Sequence, residues 1–220
     1  AASRFRGLPP QDRALAQELA FGAIRLQARL DVELAHLSMR SLGRLELPVL
    51  AALRLGLYQL RETRIPPHAA VDATVEAARL ARGARGLVNA VLRRAAREGR
   101  PAGLYPSFDQ DPAGHLAAWG SHPGWLVRRW LARYPLASVR RLVELDNGPP
   151  PVTFRRLAPS SVEEPAGARL VPLEGRPRMA RLVSGSPADV IRSGGWIAQD
   201  PAASAVVDYV GPGLEGPFVD

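Results

Sequence analysis

Apolar residues recur at helical spacing through the first hundred positions. Leu15, Leu19, Gly22, Leu26 and Leu30 form one stripe along a helix that Asp12 is placed to cap. Asp31 opens a shorter helix with Val32, Leu34, Ala35 and Leu37. The strongest pattern runs from Leu47 to Arg61: Leu50, Leu53, Leu57 and Leu60 share a face, with Leu55 and Tyr58 beside it. Pro66-Pro67 ends that helix and suits the first turn of the next, which Ala70, Val71, Thr74, Val75 and Ala78 carry over residues 68–81. Gly83 and Gly86 punctuate the chain before a last helix from Leu87 to Arg97. Five helices with short connections predict an all-α bundle.

Beyond residue 100 the pattern changes. Residues 105–120 read as a loop-rich connection with Pro106, Pro112 and Gly114. Helices are expected from Pro123 to Tyr134 and from Leu136 to Asp146. Asn147-Gly148 suits a left-handed cap, and Pro149-Pro150-Pro151 forbids continuation. Val152–Arg155, Leu170-Val171, Ala180–Val183 and Trp196–Ala198 read as short strands. Asp200-Pro201 is a cap and first-turn Pro leading into Val206, Val207 and Val210. The expected fold is therefore mainly α. A helical domain (1–100) leads through a linker (101–121) to a small α/β subdomain (122–198). Residues 199–220 would open a further domain. The chain starts with Ala1, and Phe218-Val219-Asp220 reads as a strand without partners, so the expectation is a piece of a longer protein.

Charge sharpens this division. Up to Arg100 there are 17 Arg against 9 acids; from Pro101 onward 12 Arg face 12 acids. The net charge of +8 thus lies in the helical half. A basic surface on one folded module is the footprint of a polyanion binder, most often nucleic acid. There is no Lys, so every side-chain cation other than His is a guanidinium, which forks onto phosphate and stacks on bases. A coding bias accounts for the absence of Lys but not for the asymmetry. No apolar run approaches the 18 residues of a membrane span, no secretory signal is visible, and a cytoplasmic protein is expected. The absence of Cys excludes disulfides and thiolate catalysis within this chain, and the scattered His have no metal-ligand spacing.

The last helix of the basic half carries the sharpest candidate site. Leu87, Val88, Val91, Leu92 and Ala95 would face inward, while Asn89, Arg93, Arg97 and Arg100 follow on the other side. With Arg79, Arg82 and Arg85 upstream, residues 79–100 hold seven Arg and one acid, Glu98. This is a candidate phosphate-tracking stripe, the alternative being a solvated face. Arg128 and Arg129, with Arg133, Arg140 and Arg141, form a second basic cluster that Glu144 and Asp146 partly offset. His68, and Trp119, Trp125 and Trp130, are expected in structural or anchoring roles.

Several stretches resemble a known family. Asp12-Arg13 with Gln17–Arg25 is similar to a helix of the NusB-like RNA-binding fold. Leu57-Tyr58-Gln59-Leu60 with Thr63–Val71, and Gly86–Arg93, are more specific matches. His122-Pro123-Gly124-Trp125-Leu126, Leu145–Pro151 into Phe154-Arg155, and Gln199–Ser204 extend the resemblance into the rear half. Together they resemble the N-terminal region of bacterial 16S rRNA (cytosine-5)-methyltransferases of the Sun/Fmu type, a NusB-like domain plus a small α/β subdomain. Leu157 departs from the Asn usual in that family.

The resemblance implies a docking part for small-subunit ribosomal RNA. It places S-adenosylmethionine and the catalytic Cys in the rest of the parent, with Phe218-Val219-Asp220 as the first strand of the Rossmann-like catalytic domain. No cofactor, metal or catalytic residue is expected in this chain, which alone would be inactive. Gly211–Gly216 spells G-x-G-x-x-G but contains Pro and precedes a strand rather than a helix, so it reads as a turn. A stand-alone NusB-type RNA-binding antitermination module is the alternative; it would end near Arg100.

Overall fold

A computed structural model describes residues 7–78, 80–157 and 165–210. The chain divides into two units, Ala1–Gly148 and Pro149–Asp220. The first is all helical and the second contains a small sheet, giving the mainly α architecture expected.

The first unit runs α1 (Pro10–Arg25), α2 (Gln27–Ser38), a 3-10 turn (Leu42–Arg44), α3 (Leu47–Glu62), α4 (Pro67–Ala77) and α5 (Arg82–Glu98). Then follow α6 (Pro112–Ala118), α7 (Gly124–Leu131) and α8 (Leu136–Asn147). Helix α3 lies at the centre and touches α1, α2, α4 and α5. Its stripe supplies Leu53 and Leu57, which meet Leu30 and Leu34 of α2 and Val88 and Leu92 of α5 in one fully buried core. Burying such a side chain contributes about 1.5–3 kcal/mol. Small residues set the helix spacing. Gly22 leaves room for the Tyr58 ring and Gly56 for Leu92; a Cβ at either position would collide with these side chains.

The first two helices divide earlier than the apolar stripe predicts. The break falls at Leu26 (φ −96°, ψ 19°), not at Asp31. Asp31 is no cap: its carboxylate takes a bidentate pair of hydrogen bonds from Arg54, both 2.7 Å, tying α2 to α3. Nor does Asp12 cap α1. Pro9 occupies the cap position without a side-chain hydrogen bond, and Asp12 sits in the first turn, where an acid complements the helix dipole. Helix α5 starts at Arg82, so Gly83 and Gly86 lie inside it; the punctuation comes at Ala81, whose extended backbone precedes the first turn.

The expected linker is not one. Asp111 caps α6 by accepting from Gly114 N at 2.8 Å. Residues 105–121 are stitched to α2: Tyr105 donates to Arg29 O (2.9 Å), Arg29 Nε to Trp119 O (2.6 Å), and Ala28 N to Ser121 Oγ (2.9 Å). Leu116, Val127, Val139 and Val143 form a second core among α6–α8. These three helices therefore belong with the bundle, and the division falls at Gly148/Pro149 instead of near residues 100 and 121. Gly148 is extended (φ −77°, ψ 161°) and not left-handed, so the proline run alone ends α8.

The second unit comprises β1 (Thr153–Arg156), β2 (Arg169–Leu173), β3 (Arg176–Ser184), α9 (Pro187–Arg192), β4 (Trp196–Ala198) and α10 (Pro201–Val210). The sheet is antiparallel in the order β2-β3-β1-β4, with Phe154 opposite Ala180 on one side and Ala198 on the other. Phe154, Met179, Ala180 and Val190 are its buried apolar residues. Strands β2 and β3 are longer than expected because Gly175, at φ 69°, turns them into a hairpin. Helix α9, not expected, is capped by Ser186 Oγ, which accepts from Ala188 N at 3.2 Å. Asp200 caps α10 as predicted. Arg79, the Gly211–Gly216 run and the Phe218–Asp220 strand lie outside the described residues.

Candidate nucleic-acid interface

Helix α5 buries Val88, Val91, Leu92 and Ala95 against α2 and α3. That leaves Arg82, Arg85, Arg93 and Arg97 exposed on another face, with Asn89 half-buried among them. Three- and four-residue steps bring these five onto one side of a helix. Asn89 Oδ1 accepts from Arg93 Nε at 2.9 Å, fixing the fork of Arg93 along the stripe. Carboxylates are sparse here. Arg93 stands 3.5 Å from Asp72 and Arg97 3.8 Å from Glu98, both arginines largely exposed. Among the described residues, no carboxylate lies within ion-pair distance of Arg82 or Arg85. Exposed pairs of this kind hold their partners weakly and leave them free for phosphate.

Arg100 does not join the stripe. Its guanidinium turns inward, donating to Glu33 at 3.2 Å and Glu62 at 3.0 Å and lying 4.8 Å from the centre of the Trp119 ring. Burial opposes its charge, but the hydrogen bonds to Glu33 and Glu62 outweigh burial and raise its pKa. Arg29 shares this cluster at 4.1 Å from the Trp119 ring; burial lowers its pKa, and Glu62 counters only part of that. Helical spacing could not separate Arg100 from Arg97. The available signal was Glu33, a lone acid on the apolar stripe of Leu30, Leu34 and Leu37, which needed a buried cation.

The second basic cluster splits. Arg140 and Arg141 both pair with Glu144, at 2.9 and 3.8 Å. Arg128 and Arg129 of α7 are exposed, and no described carboxylate lies within ion-pair distance of either. Trp119 serves as an internal anchor, T-shaped against Tyr105 at 5.1 Å, whereas Trp125 is exposed.

A shallow groove of about 420 Å³ runs beside the stripe, between Pro67, His68, Val71 and Asp72 of α4 and Arg93, Ala96 and Arg97 of α5. His68 is therefore an exposed wall residue, and the Pro66-Pro67 turn places it there by starting α4. The face can hold an anionic backbone: guanidiniums rise one helical turn apart, and an amide orients one of them. Among the described residues, no group of His, Asp and Glu could hold a metal ion, and no helix is long and apolar enough to cross a membrane.

Residues 2–97 match the model of the NusB family. A protein named ribosomal RNA small subunit methyltransferase B from Sodalis glossinidius is 41% identical over 150 residues, 67% of this chain and 33% of the relative. One of the same name from Pseudomonas putida is 41% identical over 147 residues, 66% of this chain and 32% of the relative. A third, from Escherichia fergusonii, is 32% identical over 214 residues, 92% of this chain and 48% of the relative. The chain thus spans a third to a half of the curated relatives it matches. Residues 2–97 thus carry the match to the NusB family, and most of the chain is similar to part of the proteins named ribosomal RNA small subunit methyltransferase B.

Proposed function

We propose that this chain is the RNA-docking part of an S-adenosylmethionine-dependent methyltransferase acting on cytosine C5 of small-subunit ribosomal RNA. The observation that carries the reading is the carboxylate-poor face of α5, where Arg82, Arg85, Arg93 and Arg97 stay exposed while Arg94 and Arg100 are tied to protein groups. Arg79, Arg128 and Arg129 are further candidate contacts. Similarity over 92% of the chain runs well past the NusB-family region, which supports a methyltransferase part over a stand-alone antitermination module.

The reaction assigns the rest of the chemistry elsewhere in the parent. Cytosine C5 becomes nucleophilic when a thiolate adds to C6, and this chain has no Cys. S-adenosylmethionine supplies the methyl group when bound. Donors of this kind sit at the carboxyl ends of parallel strands, and the described sheet is antiparallel. The chain's own residues bind and orient RNA and take no chemical step.

Titrating a ribosomal RNA fragment at several salt concentrations tests this. Affinity should fall steeply with salt, and Arg93→Ala with Arg97→Ala should flatten the log–log slope by about 1–2. Unchanged affinity and slope in that double variant would remove α5 as the docking surface.

A further inference from the structure

Helix α7 turns a tryptophan to solvent. Its packing on α6 and α8 sets the direction: Val127 is fully buried in the second core with Leu116, Val139 and Val143, and Trp130 packs against the same core. At about 3.6 residues per turn, burying Val127 and Trp130 carries Trp125, Arg128 and Arg129 round to the opposite side. Trp125 is 62% exposed, and both arginines are exposed with it. The other two tryptophans of this unit are covered. Trp119 lies under Arg29 at 4.1 Å and Arg100 at 4.8 Å, and Trp130 stands 5.4 Å from His122. Among the described residues, no ring and no guanidinium stacks on Trp125. Tryptophan is highly buried on average, so a bare indole is informative.

Arg128 and Arg129 follow Trp125 by three and four residues, the spacings that make neighbours on a helix surface. The Arg128 guanidinium folds back over the first turn of α7: a Cβ on Gly124 would stand 3.3 Å from its Nη1. No described carboxylate lies within ion-pair distance of Arg128 or Arg129, because Glu144 of α8 is taken by Arg140 and Arg141. One side of α7 thus presents an open indole face and two guanidiniums that no described acid neutralises.

We propose that this face binds one unpaired nucleotide of RNA, the Trp125 indole stacking on its base while Arg128 and Arg129 hold the adjoining phosphates. Proteins that follow single strands combine these same two elements, aromatic faces for the bases and cations for the backbone. Every base has a π-face, so the site selects an unpaired nucleotide over a paired one and not one base over another. A base inside a duplex is already stacked on both sides. An apolar protein partner would have to bury two cations without supplying acids, which is costly. The inference rests on the RNA-docking reading above and adds an unpaired segment to the RNA that is docked.

The test uses the whole chain, a labelled deca-adenylate strand and a blunt RNA duplex of ten base pairs, followed by fluorescence anisotropy at fixed salt. Trp125→Ala should weaken the single strand at least about fivefold, the lower end for one base–aromatic stack, and leave the duplex within about twofold. Trp125→Phe keeps a ring and should recover most of the loss. The single strand should quench tryptophan emission in the unaltered chain and much less in Trp125→Ala. Arg128→Ala with Arg129→Ala should flatten the log–log salt slope for the single strand by about 1. Single-strand affinity unchanged in Trp125→Ala, with the duplex still bound through Arg93 and Arg97, overturns the stacking site, leaves the docking face standing and assigns Trp125 to a protein contact. An equal loss of both RNAs in Trp125→Ala also overturns it, as an effect on packing. Absence of binding to either RNA overturns both readings.

Discussion

Arg61 and Glu33 close an ion pair inside the helical bundle: Arg61 Nη2 stands 2.6 Å from Glu33 Oε1, and only 1% of the Glu33 side chain is exposed. The other Glu33 oxygen takes Arg100 Nε at 3.2 Å. Arg61 also donates to Ala95 O (3.0 Å) and Gly99 O (2.7 Å), satisfying the end of α5. One carboxylate therefore joins α2, α3 and the end of α5. Glu33→Ala takes from Arg61 its carboxylate partner and from Arg100 one of two, and should cost about 3–5 kcal/mol in urea denaturation. Arg140→Ala, at an exposed pair, should cost about 0–1 kcal/mol. Similar losses in the two variants would contradict the buried network.

Arg97 and Arg100 are three residues apart and should behave oppositely. Arg97→Ala is expected to leave stability within about 0.5 kcal/mol, as surface substitutions do, and to weaken RNA binding. Arg100→Ala is expected to destabilise the bundle, with little change in the salt dependence of RNA binding. Thermal melts and salt titrations on the same two variants check both halves; a stable Arg100→Ala that loses its salt slope would return Arg100 to the docking face.

Gly22→Ala tests the close approach of α1 to α3. The new methyl group would meet the Tyr58 ring, whose hydroxyl donates to Glu18 and so has little freedom to withdraw. Overpacking of this kind costs about 1–3 kcal/mol. Gly83→Ala, where nothing stands near the added carbon, should stabilise or be neutral, because Ala is the better helix former. A melt that ranks the two the other way would count against this packing.

Alkaline pH should loosen the first unit. Tyr105 donates to the Arg29 carbonyl, and its pKa is pushed up to about 12, chiefly by burial; Arg100 opposes the rise and Glu33 assists it. Burial, and then the hydrogen bond to Glu18, also raise the Tyr58 pKa. An unfolded tyrosine ionises near pH 10. Between about pH 10 and 12 the folded chain therefore holds more protons than the unfolded one, and stability falls as pH rises. The urea midpoint should be lower at pH 11 than at pH 9, and Tyr105→Phe should shrink that difference. An undiminished drop in Tyr105→Phe would assign the effect to other groups.

Periodicity along the chain was enough to place the core helices and the α5 stripe, because apolar spacing of three and four is the imprint of burying one helix face. Leu53, Leu57, Val88 and Leu92 are buried where that spacing puts them. Local chemistry also located the stop at Pro149 and the cap at Asp200. What needed tertiary structure was the destination of charge. Arg97 and Arg100 look alike in sequence, as do Asp31 and a helix cap; only the approach of α2 to α3 and α5 commits Arg100 to Glu33 and Asp31 to Arg54. Ion pairing depends on distances between residues far apart in the chain, and hydrophobic period carries no record of them. For the same reason, the union of α6–α8 with the bundle emerges only once the helices are packed.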